Sequence, residues 1–327
     1  MLYGISQIST FRQLFSRFAA ICAGVFALTS VSNAETFSAT DVSFRDVTGT
    51  IEIKTTSGDE IDIVIRQGKS FRRVIAEEKD GTVIITGERW KEDDDRNCCD
   101  NRINREFHPR EGRKLTTGEP VDEGLFAEYP TIEILMPYEG NVEFIDARIK
   151  LAMERLGGAL KLDACYVYGE TSDVDEAVIG VVHGSRLVMG NVRGGLEIDV
   201  SGDADVRVGD ASIVDVDIAG PGDVVLGDID GMLDVSIAGS GLVRSTRVDG
   251  PMTTRIAGSG AVMVKAGSAD KLRAIIDGSG LVFFGGAVTQ PDLKLYGSAE
   301  VRMNSVTGRI TRAGGGSVYV NDKKVEK

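Results

Sequence analysis

The pentapeptide I-A-G-S-G stands at residues 237–241 and again at 256–260, preceded by I-A-G-P-G at 218–222 and followed by I-D-G-S-G at 276–280. A unit that recurs every 18 to 20 residues cannot bury its own apolar face, so it must stack on its neighbours as a coil. The repeat extends to V-x-G-x-L-x-x-x-I-x-G-S-G-x-V, carried by Val248–Val262 and, as I-D-G-M-L-D-V-S-I-A-G-S-G-L-V, by Ile229–Val243. Val192–Val206 is a degenerate copy, and V-T-G-T-I-E-I at Val47 opens in the same way.

Aligned on this template, Val200, Ile218, Ile237, Ile256, Ile276 and Leu295 share one column, and six residues on stand Val206, Val224, Val243, Val262, Val282 and Val301. Even offsets lie on one side of a strand, so both columns are expected to point inward as aliphatic ladders across coils ~4.8 Å apart. Each buried rung contributes roughly 1.5 to 3 kcal/mol. A third column, Gly202, Gly220, Gly239, Gly258, Gly278 and Gly297, admits no side chain in any row. It predicts a corner with positive φ, or backbone too close for a Cβ. Ser240, Ser259, Ser279 and Ser298 follow it, and are read either as a hydroxyl ladder or as ordinary turn residues.

The remainder of the chain agrees with an all-β solenoid. Forty glycines and seven prolines in 327 residues, without a G-X-Y period, suit many tight turns and exclude collagen. I-E-I-K-T-T-S-G-D-E-I-D-I-V-I and V-I-I-T alternate as strands. Ile149–Leu156 fits a helical period as well as alternation, and is read as strand because L-G-G-A-L-K-L after it resembles another rung.

Residues 1–34 read as a secretory signal peptide: Arg12 and Arg17 precede the apolar run Phe18–Leu28, and Ser32 and Ala34 are small residues before Glu35. The run is too short to span a bilayer, and Ile21 before Cys22 does not suit lipidation. The chain is therefore expected to be exported, to the periplasm or to the outer surface or extracellular space. Cysteines often pair in such a compartment. Cys98, Cys99 and Cys165 remain after the leader, and a bridge from Cys98 or Cys99 to Cys165 is favoured over a strained vicinal pair, a zinc site with His108, or free thiols.

Between Arg89 and Tyr129 the alternation gives way to a charged excursion nearly free of aliphatic residues. Long loops of this kind tend to be functional; Trp90, the sole tryptophan, is expected to pack at its base. The predicted organisation is thus a leader (1–34), a β-rich N-terminal region (35–130) containing the excursion at about 89–129, a solenoid (131–320) and a charged tail (321–327).

A formal net charge of −13 disfavours nucleic acid as a partner. The charge is unevenly spread: ten Asp against the single Arg207 between Asp199 and Asp234, then thirteen Lys or Arg against seven acids from Val235 to Lys327. The acidic stretch is read as solvated turns in preference to calcium ligands, because G-D-A-D-V and G-P-G-D-V are not the calcium-binding solenoid repeat. No other cofactor is expected. Arg244, Arg247, Arg255, Arg302, Arg309 and Arg312 form a candidate basic contact surface for an anionic glycan, lipid or protein of the envelope. Lys323, Lys324 and Lys327 suit an exposed edge strand.

No catalytic signature emerges. The repeated glycines lack the third glycine of a dinucleotide loop, no Walker motif is present, and His108 and His183 accompany neither a nucleophile elbow nor a zinc helix. A glycosidase-like carboxylate pair cannot be located by spacing along the chain.

With the G-S-G rungs, the leader and the segment T-I-E-I-L-M-P-Y-E-G at 131–140 assembled, the chain resembles the bacterial head GIN domain family, whose members are proposed auto-transporter adhesins. The resemblance covers about Thr131 to Val320. It implies a β-helix-like solenoid in a secreted or periplasmic protein, a proposed role in adhesion, and no catalytic residues. The tail N-D-K-K-V-E-K adds no alternating strands of a translocating barrel, so a complete autotransporter is not expected. The expected function is a non-catalytic, adhesin-like binding module of the envelope or surface. The alternatives are a structural protein that self-associates end to end and a carbohydrate-active enzyme on a solenoid face.

Overall fold

The computed structural model describes residues 32–70, 73–88, 126–182 and 184–326. Ser32–Lys327 form one compact unit. Its described residues contain 24 strands, joined in a β-solenoid of about nine turns.

Strands β1 (Ser32–Phe37), β2 (Asp41–Arg45), β3 (Thr48–Thr56), β4 (Ile61–Arg66), β5 (Ile75–Lys79), β6 (Thr82–Thr86) and β7 (Thr131–Pro137) build the amino-terminal end. Here β2 and β3 already form a coil, because β8 (Val142–Met153) lies parallel to both, aligning Val42 with Val142 and Ile51 with Leu151. On their other side β6 lies parallel to β2 and β7 to β3. The two segments that bracket the charged excursion are thus placed on consecutive strands of one coil. The N-terminal region and the repeats share a continuous sheet. β1 overlaps the predicted leader at Ser32–Ala34, pairing with β4.

From β9 (Ala159–Thr171) the coil advances by one repeat at a time. β10 (Glu176–Val182) and β11 (Arg186–Met189) make one turn, β12 (Val192–Ser201) and β13 (Asp205–Val208) the next, followed by β14 (Ala211–Gly220) with β15 (Asp223–Ile229) and β16 (Leu233–Gly239) with β17 (Leu242–Asp249). β18 (Met252–Gly258), β19 (Ala261–Gly278), β20 (Leu281–Gly297) and β21 (Glu300–Val306) continue the stack, which β22 (Thr311–Gly314), β23 (Ser317–Val320) and β24 (Lys323–Lys324) end.

The register matches the sequence columns. Val200, Ile218, Ile237, Ile256, Ile276 and Leu295 pair in succession, as do Val206, Val224, Val243, Val262, Val282 and Val301. Every one of these side chains is buried. Towards the amino-terminal end, Phe44 and Phe144 continue the stacking as rings 4.5 Å apart and nearly parallel, at 6°.

Both reasons for the glycine column hold at once. Gly258 has φ of +130°, and a Cβ there would sit 2.3 Å from the carbonyl oxygen of Gly239. The serines that follow work through their backbone: the N–H of Ser259 donates to Gly239 O at 2.9 Å and that of Ser279 to Gly258 O at 2.9 Å. Ser240, Ser259 and Ser279 are exposed; the turn reading, not a hydroxyl ladder, describes them.

A second corner is held by side chains. Asp173 Oδ1 accepts the N–H of Asn191 (2.9 Å), Asn191 Oδ1 that of Asp210 (2.8 Å), and Asp210 Oδ1 that of Asp228 (2.8 Å). Each carboxylate or amide therefore satisfies a backbone donor one coil further on. Asp210 and Asp228, read from the sequence as solvated turn residues, are part of this inter-coil ladder.

Candidate binding faces

Among the described residues the coil interior is filled, so their candidate recognition surfaces are the outward positions of the sheets on either side of the glycine corner. On the sheet following that corner, two outward columns run side by side. One contains Asp223, Leu242, Ala261, Leu281 and Glu300, the other Val225, Arg244, Met263, Phe283 and Arg302. Leu242, Leu281 and Phe283 are half-buried, and Met263 retains 36% of its surface exposed. They form an apolar island facing solvent.

Ion pairs bound the island at both ends. Arg244 Nη1 donates to both oxygens of Asp223, at 2.9 and 2.8 Å. Arg302 pairs with Glu300, and its guanidinium lies 4.8 Å from the centre of the Tyr319 ring. Hydrogen bonds to Glu300 and to Asp249 hold the guanidinium groups of Arg302 and Arg247 above their ordinary pKa. Aromatic and methionine surface within a rim of arginines is the composition enriched at protein recognition sites.

The sheet preceding the corner presents a different surface. A shallow groove of about 690 Å³ runs across it, with Ser201, Ala219, Ala238 and Ala257 as small exposed residues and Asp199, Asp217, Ser236, Arg255 and Ile275 alongside. Glu197, Asp215, Asp234, Thr253 and Arg273 stand two residues before these on the same strands. The face changes sign midway, acidic on β12 and β14 and basic through Arg255 on β18 and Arg273 on the second half of β19, where Asp277 also lines the groove. Arg255 Nη1 donates to Asp234 at 2.7 Å. Desolvation, then the Asp217 and Glu197 carboxylates, raises the pKa of Asp199. Desolvation and the Asp234, Asp217 and Asp199 carboxylates raise that of Asp215, against the opposing effect of Arg255.

The six arginines of the sequence-derived basic surface are not brought together. Arg244 and Arg302 flank the apolar island, Arg255 lies on the other sheet, and Arg247 sits beyond the island on β17, paired with Asp249. Arg309 is exposed before β22. Arg312 crosses the carboxy-terminal end, donating to the carbonyls of Gly316 and Val325. The reason is geometric: a spacing of three to eight residues carries a side chain around a corner as easily as along a face.

Cys165 is fully buried on β9 and disulfide-bonded. Cys98, Cys99, Trp90, His108 and His183 lie outside the described residues. Among the described residues, no three His, Cys, Asp or Glu side chains gather into a metal-binding group. No helix among them is long and apolar enough to cross a membrane.

No known family profile matches the sequence, and no curated protein does. Similar solved structures include a putative adhesin from Parabacteroides distasonis ATCC 8503, at 12% identity over 89% of this chain and 97% of that one, with a TM-score of 0.41. A putative lipid binding protein from the same organism has 15% identity over 88% and 96% of the two chains, with a TM-score of 0.37. A putative adhesin from Parabacteroides merdae ATCC 43184 has 13% identity over 88% and 95%, with a TM-score of 0.35. Likeness at this level carries no function to the chain, whose coil is read from its own strand register.

Proposed function

We propose that this chain is a non-catalytic, exported binding module of the bacterial envelope or surface, adhesin-like in the sense of the head GIN resemblance. The observation that carries this reading is the apolar island of Leu242, Met263, Leu281 and Phe283, framed by Arg244 and Arg302. Apolar surface held open to water by a rigid sheet costs solubility, and is the kind of patch that marks an interaction site. The leader residues Arg12 to Ala34 support export.

The test is retention of envelope components on immobilised protein comprising residues 35–327, by glycan array and by pulldown from solubilised envelope. Wild type is expected to retain a component that Phe283→Asp does not, the two having the same far-UV circular dichroism. Equal retention by the two proteins, or none by either, overturns the reading.

End-to-end self-association is disfavoured by how the stack ends. Antiparallel β4 and β1 lie beyond β7, antiparallel β5 beyond β6, and antiparallel β24 beyond β23. The exposed Glu77, Glu78, Lys79, Lys323 and Lys324 on these edges discourage further pairing. A carbohydrate-active enzyme is favoured by one observation, the raised Asp199 beside Asp217 on the adjacent strand. Release of reducing sugar that is lost in both Asp199→Asn and Asp217→Asn would establish it.

A further inference from the structure

We propose that the grooved face of β12, β14, β16 and β18 is a self-complementary surface on which a second copy of this chain docks face to face, with a two-fold axis along β16. The argument begins with register. Taking β16 as the centre, Asp217 stands one strand before Ser236 and Arg255 one strand after it, in the same outward column. In the parallel column, Glu197 stands two strands before Asp234 and Arg273 two strands after it.

A two-fold axis parallel to the strands and lying between the two copies keeps each column in place while reversing the order of the coils. It therefore sets Asp217 of one copy over Arg255 of its partner, and Glu197 over Arg273, twice each across the axis. Any other partner of uniform charge would match one half of this face and repel the other, whereas a second copy sets Asp217 and Glu197 of each chain over Arg255 and Arg273 of the other, with Asp199 over Ile275 and Asp277 over Ser201 left without an opposite charge.

The surface between the charges permits close approach. Ser201, Ala219, Ala238 and Ala257 project outward, are exposed and add little bulk. Asp234, which would meet its own counterpart near the axis, already has its charge balanced by Arg255. Within one chain Arg255 relieves the acidic half only in part, through Asp234 and Asp215. Asp199 and Asp215 are both held above the usual aspartate range by desolvation and by neighbouring carboxylates; the two-fold sets them over Ile275 and Thr253, each beside a partner guanidinium, Arg255 or Arg273, rather than beneath one. This surface lies around the glycine corner from the apolar island, so its use and that of the island are independent.

The test is sedimentation velocity of the mature protein over a range of concentrations, at low and at high salt. Wild type is expected to dimerise reversibly and at least tenfold more weakly at high salt, as exposed charge pairs are screened. Asp217→Arg and Arg255→Asp are each expected to weaken the dimer at least tenfold when alone, because each sets like charges opposite one another. Mixed in equal amounts they are expected to associate, since the first variant carries arginine at both positions and the second aspartate at both, so that every facing pair is again of opposite sign. Ala238→Arg, an exposed substitution near the axis, provides a block that leaves Asp234 and Arg255 intact. A wild type that stays monomeric at every concentration, a dimer indifferent to all three variants, or failure of the mixture to associate while both variants remain folded by circular dichroism overturns the proposal.

Discussion

Ile256→Ala measures the ladder at its centre. The side chain is 2% exposed and stands in register between Ile237 and Ile276. Alanine removes three carbons, a transfer loss of about 2.4 kcal/mol at roughly 0.8 kcal/mol for each buried methylene. The hydrogen-bonded strands on both sides prevent the coil from closing over the gap, so a cavity contribution adds to this, and about 3 to 4 kcal/mol is expected. Ser259→Ala, three residues away at an exposed corner, is the control and should change stability by less than about 0.5 kcal/mol. Urea unfolding followed by far-UV circular dichroism compares the two at matched slopes. Stacked repeats can open locally, so hydrogen exchange at the amides of residues 237, 256 and 276 shows whether the loss is confined to adjoining coils. If Ile256→Ala unfolds no earlier than Ser259→Ala, the inward aliphatic column is not what holds the coils together.

Three further outcomes follow from the same geometry. Gly258→Ala places a Cβ 2.3 Å from a backbone oxygen at φ of +130°; a loss of about 1 to 3 kcal/mol in unfolding free energy from urea titration is expected, and a loss under about 0.5 kcal/mol, that of an ordinary surface change, contradicts the corner. Asn191→Ala removes the acceptor for Asp210 N–H and is expected to cost about 1 kcal/mol, with faster amide exchange at residue 210 as its local signature. The pH dependence has a definite sign. Asp199 and Asp215 have folded pKa values raised above 3.8, so the folded state binds the extra proton. Their destabilising effect is therefore present at neutral pH and fades as pH falls through the raised values towards 3.8. The variant with both residues changed to Asn should be more stable than wild type at neutral pH, the difference shrinking as the pH is lowered. A difference that grows on acidification is inconsistent with this origin.

What was legible in the sequence is the coil itself. An aliphatic residue two places before a glycine, repeated at 18 to 20 residues, is a statement about stacking, because parallel neighbours in register must share burial. The columns of Ile256 and Val262 and the corner at Gly258 were readable for that reason. The Asx ladder was also written there, as Gly-Asn or Gly-Asp at 190–191, 209–210 and 227–228, but aspartate in a turn has an ordinary explanation that conceals an inter-coil bond.

Other features needed the tertiary structure. Period alone does not reveal that β6 and β7, on either side of the charged excursion, close one coil against β2 and β3, since parallel strands carry no local mark of a partner distant in the chain. Nor does it show which outward side chains share a surface, because that depends on where each coil turns. The turn separates Arg255 from Arg244, sets Phe283 beside Arg302, and gathers Asp217 and Arg255 into one face whose sign reverses across its middle. The inward columns follow from a repeat that every coil obeys; the outward surfaces follow from residues that differ from coil to coil, and only the folded chain brings them side by side.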